Sequence, residues 1–202
     1  MNNQAQTIVL IRHGFTAENE QGKYISTTDV PLNERGVKQI KKIANAVPEG
    51  CFNRLVSSPL LRAVQSAKIF NVATGLEIEV LETLKELDFG VFENFSDSEL
   101  SSPEHSCFHD YKNWRSSSDS KMPTNAEQYY EVEVRAKEVW DNLKNSGKNT
   151  IVLSHGVFLR ILVVTQILGL PAEMYRRIKL DNSKKVIVSI EDGISYIQKL
   201  NY

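Results

Sequence analysis

Two stretches of the chain are patterned alike. Thr7-Ile8-Val9-Leu10-Ile11 is a short apolar, β-branched run ending in Arg12-His13-Gly14, and Thr150-Ile151-Val152-Leu153 ends in Ser154-His155-Gly156. Such runs read as buried strands, and Gly14 suits a tight turn closing the first. Residues 52–56 and 76–81 read as two shorter strands. Helical spacing intervenes. Val37, Ile40, Ala44 and Val47 recur opposite Lys38, Lys41 and Lys42, with Asn33 as N-cap and Pro48-Glu49-Gly50 as the stop. Pro59 fits the first turn of a helix carrying Leu60, Ala63, Val64, Ala67 and Phe70. Residues 126–145 form a long helix with Tyr129, Val132, Ala136, Val139 and Leu143 on one face, and residues 156–168 form another, stopped by Gly169-Leu170-Pro171. Two alternating runs, 186–190 and 194–200, meet at Glu191-Asp192-Gly193 and predict a closing hairpin. From 91 to about 125 the pattern weakens: Ser, Asp and Pro are frequent, and Trp114 and the tyrosines are scattered. This reads as an inserted cap of short helices and loops within a single domain, 1–202.

Composition narrows the class. With 202 residues, 41% hydrophobic and 24% charged, the chain suits one α/β domain with a sizeable core. A net charge of −1 gives no reason to expect a nucleic-acid or membrane partner. Any anionic ligand must be held by a few local cations. The apolar stretch 157–164 is broken by Arg160 and too short to span a bilayer. Residues 1–6 are polar and resemble neither a signal nor a transit peptide. Two cysteines, Cys51 and Cys107, make no disulfide framework, and a reducing cytoplasm is the simplest setting.

The candidate chemistry gathers at strand ends. In a sheet flanked by helices, ligands bind beyond the carboxyl ends of the strands. Arg12, His13 and His155 fall there, and Arg62 lies in the first turn of the helix that follows Ser57-Ser58-Pro59. One strand-end histidine is commonly structural, and one helix arginine is commonly exposed; two matching histidines tip the balance toward a site. Arginine offers a planar fork matching phosphate oxygens, and a helix starting at Gly156 adds backbone N–H groups. These features suit a tetrahedral dianion. An imidazole nitrogen can attack phosphorus directly, and a carboxylic acid can protonate the leaving alkoxide. The turn holding Glu82, Glu86 and Asp88, with Glu93 beyond it, offers several carboxylates, and spacing alone does not choose among them. There is no Walker-type glycine loop and no acidic metal cluster in the sequence. His105 and His109 would share a helix face, but Cys107 would point away from it, so a polar surface is expected there and not a metal site.

Read together, Arg12-His13-Gly14 with Thr16 and Asn19, Asp29-x-Pro31-Leu32 with Gly36, Ser57-Ser58-Pro59-x-x-Arg62-Ala63, Glu86-x-x-x-Gly90-x-x-Glu93 and Ser154-His155-Gly156 resemble the histidine phosphatase superfamily, the phosphoglycerate-mutase-like fold. The motifs run in the family's order over nearly the whole chain. The resemblance implies a three-layer α/β sandwich: a mostly parallel sheet, helices on both faces, and a small variable cap that sets substrate choice. It implies His13 as the nucleophile that becomes phosphohistidine. Arg12, Arg62 and His155 would bind the phosphoryl group, with Thr16, Asn19 and the backbone at Gly156 assisting. Glu86, between apolar Leu84 and Leu87, would be the general acid and then the base. Neither metal nor cofactor is implied. The expected ligand is a small phosphorylated metabolite, and the oligomeric state stays open, a dimer being one option. Phe92 replaces a common Trp, Asn94 a common Gly, Pro123-Thr124-Asn125-Ala126-Glu127 a common Pro-Gly-Gly-Glu turn, and Ser26-Thr27 the usual Gly and aromatic. These departures bear on substrate identity. A phosphatase is the leading expectation, a mutase using the same phosphohistidine the alternative, and an inactive phosphate-binding module the third.

Overall fold

In the computed structural model, which describes residues 5–116 and 122–202, the opening apolar run becomes β1 (Gln6–Arg12). Its side chains alternate between two cores: Ile8 and Leu10 pack on one face of the sheet, Val9 and Ile11 on the other. A continuous apolar run is what a strand buried on both faces requires. The chain continues through α1 (Ala17–Glu20), α2 (Glu34–Ala44), β2 (Arg54–Ser57), α3 (Leu61–Thr74), β3 (Ile78–Val80), α4 (Asp97–Leu100), α5 (Phe108–Ser116), α6 (Tyr129–Asn145), β4 (Thr150–Ser154), α7 (Gly156–Leu162), β5 (Lys185–Glu191) and β6 (Ile194–Lys199). The six strands stand in the order β3-β2-β4-β1-β5-β6. The first four are parallel, and β5 and β6 add antiparallel pairs at one edge. Ile40 and Ala44 of α2 with Ala67 and Phe70 of α3 cover one face. Val132, Ala136, Val139 and Leu143 of α6 with Phe158 and Ile161 of α7 cover the other. No helix among the described residues is long and apolar enough to cross a membrane.

Several local expectations shift. Asn33 caps α2 by accepting from the Gly36 amide, but the helix ends at Ala44, a turn before Val47. Leu60 is the N-cap of α3 and offers no side-chain cap, so Pro59 falls outside the helix; the Asp29 carboxylate instead accepts the Leu61 amide at 2.6 Å. The long helix starts at Tyr129 behind a Gln128–Glu131 capping box. After Leu162 the expected continuous helix widens into a π-helical turn, Val163–Ile167. The hairpin forms as expected, with Asp192 and Gly193 both at positive φ, the signature of a type I′ turn.

Gly14 is needed for a different reason from the one expected. Its φ is not positive; a Cβ there would lie 2.7 Å from the carbonyl oxygen of Gly36, and one at Gly36 would lie 2.2 Å from that of Phe15. Close backbone approach, rather than a tight turn, demands both glycines.

Residues 91–125 hold more order than their weak pattern suggests. The aromatic residues that look scattered in sequence converge: Phe92, Tyr111 and Trp114 join the larger core, with Phe92 and Trp114 rings 5.5 Å apart. Tyr24 meets the Trp114 ring edge-on at 5.6 Å, ties its backbone to Asn94 and Phe95, and donates its hydroxyl to Asp97. Residues 117–121 of the expected cap lie outside the described residues. His105 precedes α5 and meets the Phe95 ring edge-on, so it shares no helix face with His109. Among the described residues no group of three metal-ligating side chains occurs.

Candidate active site

The parallel register of β1 and β4 ends on the pair Arg12↔Ser154. One residue further along each strand stand His13 and His155, their rings 5.2 Å apart and tilted by 59°. Ser58 and Arg62 follow the end of β2, and Glu86 follows β3. Four strand ends thus deliver the expected groups to one rim.

His13 is 3% exposed. Its Nδ1 lies 2.7 Å from the carbonyl oxygen of Gly14. A carbonyl only accepts, so Nδ1 carries the proton and Nε2 keeps its lone pair. Burial, then the charges of Arg62 and Arg12, hold this imidazole well below the usual histidine range. His155 is fully buried with Nε2 2.7 Å from the Ser58 hydroxyl. Burial, Arg62, His13 and Arg12 depress it in the same way. With both held below the usual range, both rings are neutral near pH 7.

The arginines are only partly free. Arg62 is 1% exposed and donates to the carbonyls of Thr28 and Ser26 at 3.0 Å, and of Ile25 at 3.4 Å. It brings charge to both histidines while gripping the 25–28 loop. Glu93, from the motif beyond Glu86, holds the same loop from outside by accepting from the Ser26 and Thr28 amides and the Ser26 hydroxyl. Arg12 donates to the Leu180 carbonyl at 3.0 Å, and burial lowers its pKa to about 10. Arg12 Nε and His155 Nδ1 are buried without a protein partner.

Glu86 lines a cavity of about 270 Å³ together with Arg12 and His13, whereas Arg62 and His155 lie behind that lining. Its carboxylate accepts the amides of Phe158 at 2.8 Å, Val157 at 3.1 Å and Leu87 at 2.9 Å. The start of α7 therefore anchors this carboxylate, and Gly156 is the residue of that turn whose amide Glu86 does not take. A Cβ at Gly156 would lie 3.0 Å from the Arg12 guanidinium, which explains the glycine. Asn19 also lines the cavity, its Oδ1 accepting from Asn182 at 2.9 Å, so the NH₂ end is left to donate. Thr16 is fully buried; its hydroxyl caps α1 by accepting the Asn19 amide, and it does not reach the cavity.

Sequence reasoning missed four contributors. Asn182 donates to Asn19 and, at 3.4 Å, to the His13 carbonyl, while the Ser183 amide donates to the Arg12 and His13 carbonyls. Asp181-Asn182-Ser183 precedes β5, which runs antiparallel to β1; that pairing, had it been inferred, would have pointed to them. Arg160 lines the cavity one helical turn after Gly156. Arg135 of α6 holds the turn that carries Glu86, donating to Thr83 at 2.7 Å and Lys85 at 3.0 Å and pairing with Glu127 at 2.7 Å.

A neutral imidazole with its Nε2 lone pair free, close to the Arg12 and Arg62 guanidinium groups and a second histidine, can attack an electrophilic phosphorus. The family model of the histidine phosphatase superfamily (branch 1) matches residues 8–202, and the chain belongs to this superfamily. It is 33% identical over 182 residues to a probable phosphoglycerate mutase, GpmB, of Enterobacter sp. (strain 638), covering 87% of this chain and 80% of that one. Among solved structures it resembles a putative alpha-ribazole-5'-P phosphatase from Escherichia coli str. K-12 substr. MG1655, with TM-score 0.85, 25% identity and coverage of 98% and 97% of the two chains. A phosphoserine phosphatase mutant from Entamoeba histolytica in complex with phosphoserine is similar at TM-score 0.82 and 25% identity, over 97% and 96%.

Proposed function

We propose that the protein is a metal-independent phosphomonoesterase acting on a small phosphorylated metabolite through a phosphohistidine at His13. The observation that carries this reading is the Nδ1–Gly14 contact, which leaves Nε2 unprotonated in a ring of positive charge. Nε2 attacks phosphorus in line as the ester P–O bond breaks, and Glu86 gives a proton to the leaving oxygen. Water then attacks the phosphohistidine, the P–N bond breaks, and Glu86 takes the proton that water loses. Arg12, Arg62 and His155 hold the phosphoryl oxygens throughout, with Asn19 and the Gly156 amide beside them. The unpaired Cys51 and Cys107 fit a reducing, cytoplasmic setting.

The second reading is a mutase that passes the phosphoryl group to another substrate hydroxyl, and the relative named a probable phosphoglycerate mutase favours it. Both readings need His13. His13→Ala should abolish turnover, and wild type mixed with a labelled phosphomonoester and quenched should hold label that is acid-labile and base-stable, as a phosphoramidate is. Wild-type rates from His13→Ala would end both readings.

A further inference from the structure

Ser58 follows β2 directly and is fully buried. Its backbone is held on both sides. The amide donates to the Leu153 carbonyl at 2.9 Å, and the carbonyl accepts the Ser57 hydroxyl at 2.9 Å. The side chain reaches the neighbouring strand end, where its oxygen lies 2.7 Å from His155 Nε2.

Counting donors and acceptors gives the direction of that bond. Among the described residues the Ser58 hydroxyl makes one other contact, in which its oxygen accepts the Leu60 amide at 3.3 Å. The hydroxyl hydrogen is therefore left with one acceptor, His155 Nε2. With the bond reversed, a fully buried O–H would have no partner, which folded proteins avoid. A ring nitrogen that accepts carries no proton, so neutral His155 holds its proton on Nδ1. Burial and the charges of Arg62, His13 and Arg12 keep the ring neutral, the state in which a tautomer exists to be chosen.

Nδ1 has no competing duty. It is buried without a partner among the described residues. His155 is the N-cap of α7, yet its side chain caps nothing, because Glu86 takes the Val157 and Phe158 amides. His13, its ring 5.2 Å away, also carries its proton on Nδ1. There the Gly14 carbonyl occupies the proton and leaves the Nε2 lone pair to act. At His155 the serine occupies the lone pair and leaves the proton. The same tautomer serves opposite ends in the two rings.

We propose that Ser58 is a positioning residue: by donating to Nε2 it fixes His155 as the Nδ1–H tautomer, which meets a phosphoryl oxygen with a proton. A lone pair in that place would repel the oxygen, whereas a fixed N–H stabilises its charge. The tautomer is a property of the resting protein; its use in binding rests on the phosphomonoesterase reading.

Long-range proton–nitrogen NMR on protein carrying isotope-labelled histidine reads the tautomer directly, with His155 assigned through His155→Gln. At about pH 7.5, above the ordinary histidine range, wild type should show Nδ1 protonated and Nε2 bare. In Ser58→Ala the Nε2 signal should move toward the protonated form, and Ser58→Thr, which keeps the hydroxyl, should return it. Affinity for inorganic phosphate, by calorimetry, and kcat/KM on p-nitrophenyl phosphate should each fall about tenfold or more in Ser58→Ala, as for one lost hydrogen bond to a charged group. Both should recover in Ser58→Thr. The wild-type spectrum decides the tautomer even where Ser58→Ala does not fold. Nε2–H in wild type, or an unchanged His155 signal in folded Ser58→Ala, overturns the proposal. A shifted tautomer with phosphate affinity unchanged would uphold Ser58 and remove His155 from the phosphoryl group.

Discussion

At the scale of single residues, the two histidines are buried groups whose neutral form their neighbours favour. His13 and His155 stay neutral in the fold, whereas histidines of the unfolded chain titrate near pH 6.5. As pH falls through that value the unfolded state takes up protons that the folded state does not, so stability must drop. Thermal unfolding followed from about pH 7 to about pH 5 should show the midpoint falling, and His155→Asn should flatten the slope. The acid limb of kcat/KM should lie below about pH 6.5 for the same reason. Glu86 gives a second test. Since a proton donor matters most for a poor leaving group, Glu86→Gln should slow an alkyl phosphate far more than p-nitrophenyl phosphate. Equal losses would count against the donor role. Most of these groups were legible in the sequence, because a strand followed by His-Gly is a local pattern. Thr16 shows the limit: its place in the motif is visible, but whether its hydroxyl meets ligand or caps α1 depends on the helix that follows. Asn94 and Asn125 make the opposite case. The first stands where glycine is expected from the resemblance and the second in the turn compared with the family's glycine-rich one, and each adopts positive φ, at 69° and 60°, which asparagine tolerates.

At the scale of elements, loops between them are clamped by side chains from distant parts of the chain. The turn bearing Glu86 is gripped three ways: by Arg135 through the Thr83 and Lys85 carbonyls, by Ser154 through the Leu84 carbonyl at 2.8 Å, and by its own bonds to the start of α7. Arg135→Ala leaves those carbonyls and Glu127 without their partner, at a cost of about 1–3 kcal/mol. It should lower kcat on alkyl phosphates more than on p-nitrophenyl phosphate, echoing Glu86→Gln in weaker form, while Arg135→Lys restores stability better than rate. A uniform loss across both substrates would make Arg135 merely structural. Little of this clamping is legible in the sequence. Helical spacing places Arg135 beside the acidic residues of α6, and nothing local says that it reaches back about fifty residues to the Glu86 turn. The segment from 91 to 125 hides its order likewise. Tyr111 and Trp114 share one face of α5, but Phe92 and Tyr24, which meet them or their neighbours, come from turns far away in the chain, so no period links the four.

For the whole molecule, the sheet order brings the strand ends that carry His13, His155 and the Ser58–Arg62 turn to one rim. The alternation of apolar strands and amphipathic helices made the layered architecture readable; the antiparallel β5, which brings Asn182 to His13, was visible only as part of a hairpin. The question left to the whole assembly is whether water or a second hydroxyl receives the phosphoryl group. A mutase must keep its phosphohistidine from water until the rearranged substrate is in place, so its pocket has to exclude solvent. Here the cavity of about 270 Å³ beside His13 and Glu86 adjoins a chamber of about 350 Å³ whose lining includes Arg115, Arg160 and Arg176. Charged walls of that extent hold water whenever substrate does not fill them. The protein supplies its positive charge from arginines, so EDTA should leave the rate unchanged. Given 3-phosphoglycerate, it should release inorganic phosphate faster than it forms 2-phosphoglycerate, and 2,3-bisphosphoglycerate should not reverse the order. Isomerisation outrunning phosphate release, with or without the bisphosphate, would show that water is kept out after all and would make the mutase the right reading.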